Sequence, residues 1–236
     1  MENVNIKDVL TEISSKIIEE NNKPFDFKKF KKTGVGNHIY NEEGFQLKMG
    51  FELLKKFDLN GNIEFEKVYH NIEKGKKEKT DIYFFLNGVR YGIELKFKTW
   101  GIKNVMEKEA RGYYFVWQGA QPNGRHDFYY DIHRLNNLIG KKIIDVGYQI
   151  FITNDAEYLM KKKQTVHNTY KFSMEEGKSI PLKLPIPDWK RPSDKKHELI
   201  LDYADGEKIK WIHDTKEAIN DLPKFSFVII ELKRKK

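Results

Sequence analysis

Apolar residues recur at helical spacing near the start of the chain. Val4, Ile6, Val9, Leu10, Ile13, Ile17 and Ile18 predict an amphipathic helix over residues 4–21. Residues 23–40 break that pattern. They are basic, contain Thr33-Gly34-Val35-Gly36-Asn37, and read as a loop. No strand precedes these glycines and no Gly-Lys-Ser/Thr follows, so they do not read as a phosphate cradle. Asn41 then stands where a helix cap belongs, with Glu42 and Glu43 suited to a first turn. Phe45, Leu47, Met49, Phe51, Leu53, Leu54 and Phe57 carry that second helix forward, against the grain of Gly44 and Gly50.

The period then changes to two. Residues 63–70 alternate as a strand, and Glu73–Lys79 reads as a solvated turn. Thr80–Leu86, Asn87-Gly88 and Val89–Phe97 form the clearest hairpin in the chain, because Asn-Gly between two β-rich runs favours a type I′ turn. Helical spacing returns over 126–139, and a strand follows at 144–153. Four of the seven prolines fall between Pro181 and Pro192, which marks a surface connection. Three further strand-like runs occupy 198–203, 207–212 and 225–233. This order predicts an α/β (α+β) fold with a central mixed sheet flanked by helices. Its expected parts are an N-terminal helix and basic loop (1–40), a core (41–160) and a C-terminal extension with strands packed on the core (161–236).

Composition narrows the chemistry. With 39% hydrophobic and 14% aromatic residues the chain is globular. It has no cysteine, which removes disulfides, thiolate catalysis and cysteine zinc sites. No apolar run approaches the roughly 18 residues of a membrane span, and the N-terminus is polar, so no membrane partner and a cytoplasmic location are expected. The 43 Lys+Arg against 35 Asp+Glu leave a net charge of +8, which suits an anionic partner such as nucleic acid.

Candidate chemistry concentrates in the hairpin. Side chains two apart on a strand share a face, so Glu94 and Lys96 point together while Ile93, Leu95 and Phe97 point away. Folding about Asn87-Gly88 can bring Asp81 beside Glu94. Two carboxylates and an ammonium in one patch suit metal-assisted phosphodiester hydrolysis: hard divalent cations take oxygen ligands, and a lysine can stabilise charge on phosphoryl oxygens. Glu-x-Lys alone is weak evidence, since Glu231-Leu232-Lys233 repeats it. That copy has Asp221 upstream but no hairpin between, and is read as part of a terminal strand.

Asp81, a hairpin and Glu94-Leu95-Lys96 resemble the signature of the PD-(D/E)XK, or restriction-endonuclease-like, nuclease superfamily. Thr80 stands where the proline of that name would be. Asn41–Gln46 lies one helix upstream, where many members carry a further acid. Gln118–Gln121, Gly124–Phe128, Asp131-Ile132 and Arg134-Leu135 extend the likeness, which covers about residues 40–155. The resemblance implies a restriction-endonuclease-like sheet, Mg²⁺ dependence with Mn²⁺ as a plausible substitute, and endonucleolytic cleavage of DNA, often in restriction or repair. It also implies a homodimer as an expected assembly. Asp81 and Glu94 would be metal ligands, Lys96 the catalytic lysine and Glu42 the helix-borne acid, with Glu52 a weaker alternative.

Gln118, Arg125 and Arg134 are expected to contact nucleic acid. Arg125, Asp127, Asp131 and Arg134 also form i,i+3 and i,i+4 pairs that could simply brace a helix. His126 and His133 lack metal-ligand spacing and read as structural. Tyr113–Trp117 reads as an aromatic core strand more than a base-stacking platform, and Lys161-Lys162-Lys163 as solvated charge. The competing function is a non-catalytic nucleic-acid-binding protein that keeps a nuclease-like fold.

Overall fold

The computed structural model describes residues 4–21, 41–59, 61–71, 76–99, 121–164, 166–189, 197–204, 206–213 and 224–234. The basic loop at 23–40, Tyr113–Trp117, Gln118 and Asp221 lie outside these residues.

Three helices are present among them: α1 (Ile6–Asn21), α2 (Glu42–Phe57) and α3 (Gln121–Gly140). The strands are β1 (Ile63–Asn71), β2 (Lys76–Leu86), β3 (Val89–Lys98), β4 (Val146–Thr153), β5 (Lys183–Leu184), β6 (Leu199–Ile200), β7 (Ile212–His213) and β8 (Ser226–Lys233). Six of them make one mixed sheet in the order β1-β2-β3-β4-β8-β7. Only β3 and β4 run parallel, as expected where a helix (α3) makes the crossover. β5 and β6 form a separate two-stranded sheet.

The predicted α/β architecture with flanking helices is therefore the one observed. Residues 4–5 lie ahead of the first helix, and β4 starts two residues later than the run at 144. The turn expected at Glu73–Lys79 is in part strand: Lys76–Lys79 pairs with β1, Glu78 opposite Tyr69. This outer hairpin arm tolerates polar residues because its partner β1 is an edge strand. α3 begins at Gln121, ahead of the expected 126, and accommodates Pro122 because a first-turn residue needs no N–H partner. The runs 198–203 and 207–212 shrink to β6, a 3₁₀ turn at Asp202–Ala204 and the bridge Ser179–Lys208, since both belong mainly to a wrapped segment outside the large sheet.

The strand alternation sorts side chains into two cores. Ile93, Leu95 and Phe97 of β3 pack with α1, α2 and Tyr148, Ile150 and Ile152 of β4. Phe151 of β4 and Val228, Ile230 and Leu232 of β8 pack on the opposite face with α3 and the segment 172–211. The boundaries near 40 and 160 do not separate packing units. α1 shares the first core with α2, and β8 lies inside the main sheet between β4 and β7. No described helix is long and apolar enough to cross a membrane.

Two local features fix the parts that matter below. Asn87 (φ 51°) and Gly88 (φ 80°) both adopt the left-handed conformation that a type I′ hairpin demands. Gly50 of α2 admits the Phe65 ring so closely that a Cβ there would lie 2.2 Å from it. This contact seats α2 against β1.

Candidate active site

The β2–β3 ladder runs from Leu86–Val89 to Ile82–Ile93 and stops, although both strands continue. The next residue on β2 is Asp81. Its carboxylate accepts a 2.6 Å hydrogen bond from the Leu95 N–H. The ladder to β1 also skips this position, between Phe65–Ile82 and Lys67–Thr80. Glu66, the residue across from it, has φ 51°. The sheet thus forks at Asp81, as functional sites in sheets often do.

Glu94 and Lys96 emerge from the other prong, on the α3 side. Glu94 is 1% exposed. An Arg134 guanidinium nitrogen lies 2.9 Å from its Oε1, yet that oxygen receives no hydrogen bond. The same arginine reaches Asp131 Oδ1 at 3.2 Å and donates to the Lys79 carbonyl. Lys96 Nζ stands 3.6 Å from Asp131 Oδ2, a second buried oxygen without a hydrogen bond. α3 therefore closes the site from one side with Asp131 and Arg134.

α2 closes it from another. The Asn41 side chain caps the helix by accepting from the Gly44 N–H at 2.9 Å. The next residue, Glu42, accepts from the Phe97 N–H at 3.1 Å through one oxygen and lies 3.4 Å from Lys96 Nζ through the other. One turn along the same face, Gln46 Nε2 donates to the Asp81 carbonyl and, at 3.1 Å, to Glu66 Oε1. Gln46 takes up the backbone group that the interrupted ladder leaves open.

The electrostatics of this group lean one way. Asp81, Glu94, Glu42 and Asp131 face Lys96 and Arg134, so full ionisation leaves two negative charges in excess. Burial, reinforced by neighbouring carboxylates, pushes Asp81 from 3.8 up to about 6 and Asp131 to about 6. It drives Glu94 well above the ordinary glutamate range. Burial works against the charge of Lys96 and Arg134 too. The surrounding carboxylates outweigh it, and both hold their protons more tightly than usual.

Asp81, Glu94, Lys96 and Glu42 are thus brought together as the sequence suggests. Glu52 is not among them; it pairs with Lys16 at 3.0 Å on the surface. Arg134 joins the group as an internal counter-ion. Arg125 does not join it: only 1% exposed, it donates to the Glu157 carbonyl and lies over the Tyr158 ring. Burial lowers its pKa, and its Nε and Nη1 are buried without hydrogen-bond partners among the described residues. His133 is a core residue whose Nδ1 accepts from the Ile200 N–H at 2.9 Å. Glu231 accepts from the Tyr148 hydroxyl at 3.2 Å and pairs with Lys233 at 2.9 Å.

Sequence reasoning missed the roles of Gln46 and Asp131. Their signals were spacing: Gln46 follows Glu42 by four residues, and Asp131 precedes Arg134 by three.

The donor set suits a hard divalent cation. Its members are oxygen donors with an excess of negative charge, and two carboxylate oxygens are buried without hydrogen bonds. Among the described residues no group of three or more His, Asp or Glu side chains is placed to hold a metal ion. Mg²⁺ does not need such a group, because it keeps several waters and takes one or two carboxylates.

No family model and no curated protein matches this chain. A solved structure titled "Crystal structure of SSO0001" is similar over 65% of this chain and 64% of its own, at 16% identity and a TM-score of 0.25. A likeness that weak carries no argument about fold or function.

Proposed function

We propose that the protein is a Mg²⁺-dependent nuclease that hydrolyses phosphodiester bonds in DNA. The observation that carries this reading is the fork at Asp81, which gathers Asp81, Glu94 and Lys96 beside Glu42. Asp81 and Glu94 would hold the cation. When bound, it polarises the phosphate and acidifies a water molecule. Lys96 remains an ammonium at neutral pH because Asp131, Glu42 and Asp81 stabilise its charge. It therefore acts as a donor to a non-bridging phosphate oxygen and not as a general base. Glu42 orients that ammonium, and Arg134 holds the Glu94 carboxylate in place. The net charge of +8 supports a polyanionic substrate.

A second reading is a nucleic-acid-binding protein without catalysis. The observation in its favour is that Arg134 already supplies Glu94 with a counter-ion. Incubation with supercoiled and linear DNA in Mg²⁺, Mn²⁺ or EDTA separates the two. Metal-dependent nicking that Lys96→Ala lowers by about a hundredfold or more is expected. DNA binding without cleavage under any metal would favour the second reading, and full activity in Glu94→Ala would remove this site from consideration.

A further inference from the structure

A second basic feature lies away from the fork. The segment after β4 wraps the outer side of α3 and leaves a half-open cavity of about 600 Å³. Lys161, Lys162, Lys171, Lys178 and Lys183 line it, and among the described lining residues Glu175 and Glu198 oppose them. These lysines come from separate stretches of the wrap, so the cluster is a product of folding and not of one charge run.

Their partners account for only part of this charge. Lys162 pairs with Glu157 at 2.7 Å, and Lys183 with Glu198 at 3.4 Å. Lys178 donates to the Lys171 and Ser173 carbonyls, each at 2.8 Å, and lies 5.7 Å from the Tyr129 ring centroid. Among the described residues, Lys161 and Lys171 have no ion-pair partner, and both are exposed. Glu175 is turned toward the Ser173 hydroxyl. Exposed lysines are long and free to separate; here the backbone keeps five lysines, three of them exposed and two half-buried, around one concavity. Tyr170, Pro181, Leu184 and Pro185 supply an apolar wall.

We propose that this cavity binds clustered phosphate groups attached to a nucleoside, with the ammonium groups on the phosphates and the base against the Tyr170 wall. The volume falls within the roughly 300–1,000 Å³ of sites that hold ligands of that size. Lys178 braces the rim: its three N–H groups go to the Lys171 carbonyl, the Ser173 carbonyl and the Ser173 hydroxyl, which leaves Lys161 and Lys171 as the ammonium groups that meet a phosphate. The phosphates could belong to a free nucleotide or to a nucleic-acid strand. This site is independent of the nuclease reading, because it shares no residue with the fork.

The test is direct binding to the full chain in EDTA, where no cleavage is needed. The probes are inorganic tripolyphosphate, adenosine triphosphate and a short single-stranded oligonucleotide. Lys161→Gln/Lys171→Gln is compared with Lys16→Gln/Lys55→Gln, which removes the same charge from α1 and α2 on the other face of the sheet. Saturable binding of a nucleoside-bearing probe, weakened about tenfold or more in the first double variant only, is expected. Tighter binding of the nucleotide identifies a free ligand, and tighter binding of the oligonucleotide identifies a strand. Equal affinity in both double variants would overturn the proposal. So would a wild-type protein that fails to saturate with either nucleoside-bearing probe by about 1 mM, or one that binds tripolyphosphate alone.

Discussion

The Leu95 N–H donates to the Asp81 carboxylate across 2.6 Å, where the ladder between their strands has ended. One interaction thereby replaces a backbone pair with a charged side chain and spreads the hairpin. Glu94, opposite Asp81, is released from pairing with β2 and turns toward α3, where Arg134 meets it.

Arg134 should matter to stability more than to DNA contact. Arg134→Ala removes the cation beside the buried Glu94 carboxyl, so Glu94 takes up a proton more readily, and the loss of stability should stay below the about 3–5 kcal/mol of a buried pair broken with its charge retained. Adding Glu94→Gln should recover much of that loss, since the amide needs no cation. A double-mutant cycle by thermal or denaturant unfolding measures the coupling. Additive effects would show that the pair is not energetically linked.

Metal and pH should act together. The Asp81 and Asp131 carboxyls are raised to about 6 by burial, above their ordinary 3.8. Between those values the folded state holds more protons than the unfolded one. These groups therefore favour folding at low pH, and that contribution declines as pH rises from about 4 to about 6. Stabilisation by Mg²⁺ should show the opposite trend, growing through pH 6 as the carboxylates become available. Melting curves with Mg²⁺ and with EDTA from pH 5 to 8 test this, and a Mg²⁺ increment independent of pH would contradict it.

Glu231→Ala should leave catalysis near the wild-type level. Its partners, Tyr148 and Lys233, belong to the sheet and not to the fork. Loss of the Tyr148 hydrogen bond should cost about 1 kcal/mol of stability. Cleavage and melting assays on the same preparation check both halves.

The salt dependence of DNA affinity should be steep in the wild type. A footprint of about four to eight phosphates gives a log–log slope of about −4 to −7. Arg125→Met should keep that slope while lowering the melting temperature, because its guanidinium is buried against Glu157 and Tyr158. A slope shallower by about one unit would place Arg125 on a phosphate after all.

The sequence made the sheet's centre legible because local rules agree there. Asn87-Gly88 fixes the turn, alternation fixes which face Glu94 and Lys96 share, and Asn41 marks the start of the helix bearing Glu42. The outer features were less visible. Lys76–Lys79 looks like a turn by composition and becomes strand through pairing with β1. Arg125 looks like a phosphate contact by residue type and is buried by its helix face. The lysine-lined cavity depends on a wrapped path that no local period encodes.

The placement of β8 has a consequence for biosynthesis. β4 ends at Thr153, and its antiparallel neighbour begins only at Ser226. A growing chain therefore completes the hairpin, α3 and β4 well before the strand that covers β4 has been made. Until then β4 presents Tyr148-Gln149-Ile150-Phe151-Ile152 along an open edge, a template for pairing with another chain. Closing a loop that long is also slow compared with local pairing. Recombinant yield should thus depend on how quickly the last strand arrives, and any variant that delays its docking should be lost to aggregation before its stability can be measured.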